Sequence, residues 1–204
     1  MTYKLYAIPG TCSTGIHILL TVLNQELEWI NATTVDDFAS ISPAGVVPIL
    51  EDGDFIIREG GAIVLYLLEK HNSDMLPTDL QEKSLFLQKL LFNYATMQPT
   101  YSKLFFAMNE LTGDGQHQAY EAGAKAISNL WGIVDKQLSK TLFMNGDTPS
   151  ILDYLLCVYA NWGVSFDVQI ELGDNVTRMI REVTQLPEFK KVLEVEGLEY
   201  KAVI

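Results

Sequence analysis

Strand-like segments are confined to the first third of this chain, where they alternate with helical ones in a fixed order. Tyr3–Ile8 is a short apolar run stopped by Pro9-Gly10. A helix follows, capped by Ser13 or Thr14, with Ile16, Ile18, Leu19, Leu20, Val22 and Leu23 forming a broad apolar face. Leu27–Thr33 reads as a second strand and Asp36–Ser40 as one irregular helical turn. Val47–Leu50 and Phe55–Arg58 are two further strands joined by the turn Glu51-Asp52-Gly53-Asp54, and Gly61–His71 is a helix. A helix between the first two strands requires a crossover and hence a parallel pair, while the tight turn makes the last pair antiparallel.

Everything beyond this block reads as helix. Asn72–Asp79 carries Asn, Ser, Asp, Pro and Thr and holds the boundary, giving domains at 1–74 and 80–204 joined by a linker at 75–79. Leu80 to about Phe106 is a long apolar helix with a kink expected at Pro99. Gln116–Ser139, Ser150–Trp162, roughly Gly173–Thr184 and Glu188–Glu194 follow, with Pro187 suited to the first turn of the last. Met1–Ile8 alternates apolar and polar residues and reads as a strand, not a secretion signal, and no stretch approaches the roughly 18–20 apolar residues of a membrane span. The net charge of −12, without a compensating basic run, argues against nucleic-acid and anionic-membrane partners. Residues 1–78 set ten acidic side chains against Lys4, Arg58 and Lys70, so an anionic ligand there must be held by local groups. Cys12 and Cys157 fall in different expected domains, which argues against a disulfide framework and fits a reducing cytoplasm. No metal-ligand pattern stands out.

Three segments of the first domain can carry chemistry, and each also has a purely structural reading. Pro9-Gly10-Thr11-Cys12-Ser13-Thr14-Gly15-Ile16-His17 sits where a strand gives way to a helix, a place that favours anions and can lower a thiol pKa. There Cys12 can act as a thiolate, or Ser13 can donate its hydroxyl to a bound thiolate; alternatively Ser13 caps the helix and Cys12 is a small turn residue. His17 reads as a packed residue. In Ser42-Pro43-Ala44-Gly45-Val46-Val47-Pro48, a cis Val47–Pro48 bond would turn the Val47 backbone outward to pair with an extended peptide, whereas a trans bond makes Pro48 an ordinary edge proline. In Arg58-Glu59-Gly60-Gly61, the Gly60 and Gly61 N–H groups can cradle a carboxylate and Glu59 can take an ammonium; alternatively the glycines ease a turn.

Together, these residues resemble the glutathione-transferase superfamily over essentially the whole chain. Ile8-Pro9-Gly10-Thr11-Cys12-Ser13 followed by His17-Ile18 is most similar to the bacterial beta-class members. Pro43-x-Gly45-x-Val47-Pro48-x-Leu50 matches the family's cis-proline segment, and Glu59-Gly60-Gly61-Ala62-Ile63 its γ-glutamyl-binding turn. Pro149-Ser150-Ile151-Leu152-Asp153-Tyr154 resembles the family's buried helix start, physically a capping box. The resemblance implies a thioredoxin-like α/β domain followed by an all-helical domain, and a homodimer. It also implies a glutathione-dependent transferase acting on an apolar electrophile, with Cys12 and Ser13 at the sulfur and Val47, Pro48, Glu59 and Gly60 along the peptide. Tyr101, Phe105 and Phe106 are candidates for the apolar co-substrate. Two departures stand out: Gly60 occupies the place of the family's serine, and the 31–42 connector carries Asp36 and Asp37 but no Lys, Arg, His or Gln. They leave open an alternative, a non-catalytic regulatory protein that keeps the fold.

Overall fold

The computed structural model describes residues 2–203. Its four-stranded sheet has β1 (Tyr3–Ala7) and β3 (Ile49–Asp52) at the centre, with β2 (Leu27–Asn31) and β4 (Phe55–Arg58) at the edges. The β1–β2 pair is parallel, with Leu5 opposite Trp29; β1–β3 and β3–β4 are antiparallel, with Leu50 opposite both Leu5 and Ile57. The crossover between β1 and β2 is α1 (Cys12–Val22), and α3 (Gly60–Lys70) follows β4. Ile16, Leu19 and Leu20 of α1 and Ile63, Val64, Leu67 and Leu68 of α3 are sealed from solvent, as are Leu5, Ile49 and Leu50 of the central strands. Burial of this apolar set, at about 25 cal/mol per Å², is what selects the strand register.

Several boundaries differ from the sequence reading. The third strand starts at Ile49 and not at Val47, because Pro48 has no N–H for the ladder and its bond to Val47 is cis. The β3–β4 turn closes on Gly53 and Asp54, with Gly53 at φ +62°. β2 ends at Asn31, whose side chain accepts from the Thr33 N–H at 3.1 Å and starts a 3₁₀ turn. The short helix α2 (Phe38–Ile41) lies in the connector.

The packing divides the chain into two units. One comprises the residues up to Phe86 together with Leu186–Glu199; the other comprises Leu87–Gln185 with the residues from Tyr200 onward. Where the sequence reading gave all of 80–204 to the helical domain, Leu80–Phe86 and the last helix α9 (Pro187–Glu196) group with the sheet, and α9 lies against α1. The division falls inside α4 (Leu80–Phe92). A π-helical turn, Asn93–Met97, then leads into α5 (Gln98–Glu110). The irregularity precedes Pro99 because its ring excludes the carbonyl four residues back and it has no N–H to offer.

The second unit adds α6 (Gly113–Leu138), α7 (Ile151–Trp162) and α8 (Asp174–Thr184). α7 is buried from Ile151 to Ala160 and starts at the expected capping box: Asp153 Oδ2 accepts from the Ser150 N–H at 3.0 Å and the Ser150 hydroxyl at 2.8 Å. Asp135 of α6 caps α8, accepting from the Asn175 N–H at 2.8 Å and the Val176 N–H at 3.1 Å. Tyr101 is fully buried and accepts the Trp131 indole N–H at 2.9 Å, so it is a core residue and not a substrate contact. Phe105 stacks edge-on against Trp162 and Phe166, leaving Phe106, 61% exposed, as the aromatic of the three that faces solvent.

Candidate active site

Pro9-Gly10 stops β1, and the loop turns into α1 through Thr11. Thr11, not Ser13 or Thr14, is the N-cap: its extended backbone (φ −85°, ψ −178°) lets its hydroxyl oxygen accept from the Ser13 N–H. Ser13 is completely buried, with its hydroxyl 3.1 Å from the Ile8 carbonyl and 2.6 Å from the Thr11 hydroxyl. Its oxygen also accepts the Ile8 N–H at 3.3 Å. The expected donation from Ser13 to a bound thiolate is therefore corrected: its hydroxyl closes the turn and has no path to solvent.

Cys12 is the first residue of α1 and is half-buried, with Sγ 3.9 Å from the Val47 carbonyl oxygen. Its thiol departs from expectation. Burial pushes its pKa up to about 11 despite the opposing pull of the Cys12 and Ser13 N–H groups, and the Glu59 carboxylate raises it further. Desolvation outweighs the helix terminus, so Cys12 is a neutral thiol at physiological pH. Cys157, at the centre of α7, is wholly buried, and burial pushes its thiol well above its ordinary value.

The same contacts show which motifs meet. Cys12 touches Val47, which joins two of the three segments singled out in the sequence, and the Glu59 carboxylate is the least of the influences on the Cys12 thiol. Val47 is half-exposed and lies before the first rung of β3. Pro48 is buried beneath it, and Ser42 braces the preceding loop by accepting the Val46 N–H at 3.0 Å and donating to the Val46 carbonyl at 2.8 Å. Glu59 is exposed at φ +73°, ψ +113°, a conformation that costs a non-glycine residue about 1–3 kcal/mol. The turn holds Gly60 at the buried start of α3, outside the left-handed region.

Among the described residues 2–78, each lysine and arginine side chain has a protein partner. Lys4 pairs with Glu28 at 4.0 Å, Lys70 pairs with Asp52, and the Arg58 guanidinium donates twice to the Ile41 carbonyl, at 2.9 and 2.6 Å. Sequence reasoning missed a further residue, Glu196, whose side chain reaches the Gly10–His17 segment from α9. Nothing in the local sequence marks it.

Residues 5–76 match the glutathione S-transferase N-terminal domain family. Over 93% of its length the chain is 32% identical to glutathione S-transferase Z1 of Arabidopsis thaliana, covering 90% of that protein. It is 33% identical to a glutathione S-transferase of Triticum aestivum over 90% of this chain and 89% of the relative. The chain belongs to the glutathione S-transferase family. The fold of this family member superposes on a glutathione S-transferase structure from Xylella fastidiosa with a TM-score of 0.85, at 21% identity, over 97% of this chain and all of that one. Among the described residues, no helix is long and apolar enough to cross a membrane.

Proposed function

We propose that this family member is a glutathione-dependent transferase that joins the glutathione sulfur to an apolar electrophile or carries out closely related thiol chemistry. The observation that carries the reading is the Cys12 thiol at the first turn of α1, with Sγ 3.9 Å from the Val47 carbonyl oxygen. An extended peptide paired along Val47 sets its γ-glutamyl ammonium at Glu59 and its α-carboxylate at the Gly60 N–H, at the start of α3. Pro48 shapes that edge from below. The glutathione sulfur then faces Cys12, and the neutral Cys12 S–H donates to the thiolate and stabilises it. In conjugation the thiolate attacks the electrophilic carbon, a C–S bond forms and the leaving group departs with its electron pair. The thiol proton has already passed to solvent.

Within the family, the proposal assigns the chain to the bacterial beta-class type, supported by the cysteine that opens the first helix. The proposal includes a cytoplasmic homodimer. Its support is two free thiols and the exposure of Phe55, Ile56, Leu80 and Leu85 in the first unit. Sedimentation should return twice the 22.9 kDa chain mass; a monomer at micromolar concentration contradicts the dimer.

The catalytic assignment is tested by conjugation to an aryl halide. Cys12→Ser keeps a donor and should stay close to wild type. Cys12→Ala loses one charge-assisted hydrogen bond and should lower kcat/KM about ten-fold. An alanine variant with unchanged kcat/KM removes Cys12 from the mechanism.

A further inference from the structure

Glu196, the last residue of α9, presents a carboxylate with no solvent exposure to the segment that carries Cys12. Its Oε2 accepts from the Thr14 hydroxyl at 2.7 Å and from the Gly10 N–H at 3.3 Å, and its Oε1 lies 2.8 Å from His17 Nδ1. Gly10 stands two residues before Cys12 and Thr14 two residues after it, so one carboxylate grips the turn on both sides of the thiol. The Gly10 N–H also donates to the Thr14 hydroxyl oxygen at 3.0 Å, closing the loop on itself.

The end of α9 is as firmly set as the loop it holds. Gly197 is left-handed at φ +65°, its N–H donates to the Glu194 carbonyl at 3.1 Å, and the Leu198 N–H donates to the Leu193 carbonyl at 2.8 Å. This double closure fixes the direction in which Glu196 leaves the helix. Leu198 then packs on Gly10, with Cδ2 3.5 Å from where a Cβ would stand; Gly10, at φ +75°, admits no ordinary side chain. A buried carboxylate is tolerated where hydrogen bonds replace its hydration, and here those bonds come from the loop and from α1.

We propose that Glu196 is a positioning residue for the thiol site, holding Gly10–Thr14 in the shape that sets Cys12 against Val47. The inference rests on the reading of Cys12 as the site's thiol. The Cys12 thiol contact to Val47 is long, so the backbone that Glu196 restrains is what sets the side chain's direction. Thr11 and Ser13 close the turn internally, whereas Glu196 anchors it to a second helix. The sealed carboxylate does not touch solvent, which separates it from an acid–base role.

The test is alkylation of Cys12 measured against Cys157 in the intact chain by peptide mass mapping, together with glutathione kinetics. Glu196→Ala should release the loop, raising Cys12 alkylation about ten-fold with Cys157 unchanged and raising the glutathione KM more than it lowers kcat. Glu196→Gln keeps the shape and part of the hydrogen bonding and should recover most of both. Thr14→Val removes one partner and should move both readouts the same way by less. The proposal is overturned if Glu196→Ala leaves the alkylation ratio and KM at wild-type values, or if Cys12 and Cys157 accelerate equally, which is general unfolding. Should Glu196→Ala fail to fold, unchanged values in both Glu196→Gln and Thr14→Val overturn it. Alkylation needs no glutathione, so failure of the wild type to bind glutathione overturns the proposed function and leaves this arm readable.

Discussion

Gly60 is where a single side chain decides most about affinity. Its backbone lies outside the left-handed region and begins α3, so a serine there escapes the strain that glycine-only conformations impose. In the proposed pose the ligand carboxylate receives the Gly60 N–H. A hydroxyl supplies a second donor, and a hydrogen bond to a charged group contributes ~1.5–3 kcal/mol, reduced by ordering the serine rotamer. Gly60→Ser should tighten glutathione about ten-fold by titration calorimetry, since ~1.4 kcal/mol is a factor of ten. Unchanged affinity in a folded variant would mean that the carboxylate binds elsewhere. Residue roles were only partly legible in the sequence. The Cys12, Val47 and Glu59 segments stood out because punctuation by Pro and Gly marks loops at strand ends. Which hydroxyl faced inward did not stand out: Thr11, Ser13 and Thr14 are chemically alike, and only the turn's geometry assigns the cap to Thr11 and burial to Ser13. The thiol's upward shift was hidden for the same reason, because burial is a tertiary quantity.

At the scale of elements, α7 illustrates how a local pattern carries a buried helix. Ser150 and Asp153 identify its start in the sequence, and the structure adds a third partner, the Met144 N–H at 2.8 Å from Asp153 Oδ1. Burial nonetheless lifts the Asp153 carboxyl from its ordinary 3.8 to about 6, against the pull of the Met144 and Ser150 hydrogen bonds. The folded chain thus holds this proton more tightly than the unfolded one. Asp153 favours folding most below pH ~4, and that contribution is lost as pH rises through about 6, roughly 3 kcal/mol across the window. Asp153→Asn should flatten the pH dependence of denaturant stability between about pH 4 and 6 while lowering stability at neutral pH by ~1–3 kcal/mol. A variant that keeps the wild-type slope contradicts the assignment. The period of apolar residues located most helices within a few residues. It failed at the π-helical turn, because the signal was Pro99 while the disruption falls in the turn before it.

For the whole molecule, the order of strands and helices was readable because strand and helix periods alternate as far as α3 and only the helical period follows it. The placement of α9 was not readable: the contact between Glu196 and Gly10 spans 186 residues, and one of three glutamates in a charged helix looks like a solvated one. The central claim is that glutathione binds across Cys12, Val47 and the Glu59–Gly60 turn, and titration calorimetry of the intact chain tests it directly. The wild type should bind one glutathione per chain, and Glu59→Gln, which removes the partner of the γ-glutamyl ammonium, should weaken binding by at least about ten-fold while the melting temperature holds. No binding by the folded wild type, or equal binding by Glu59→Gln, would contradict it.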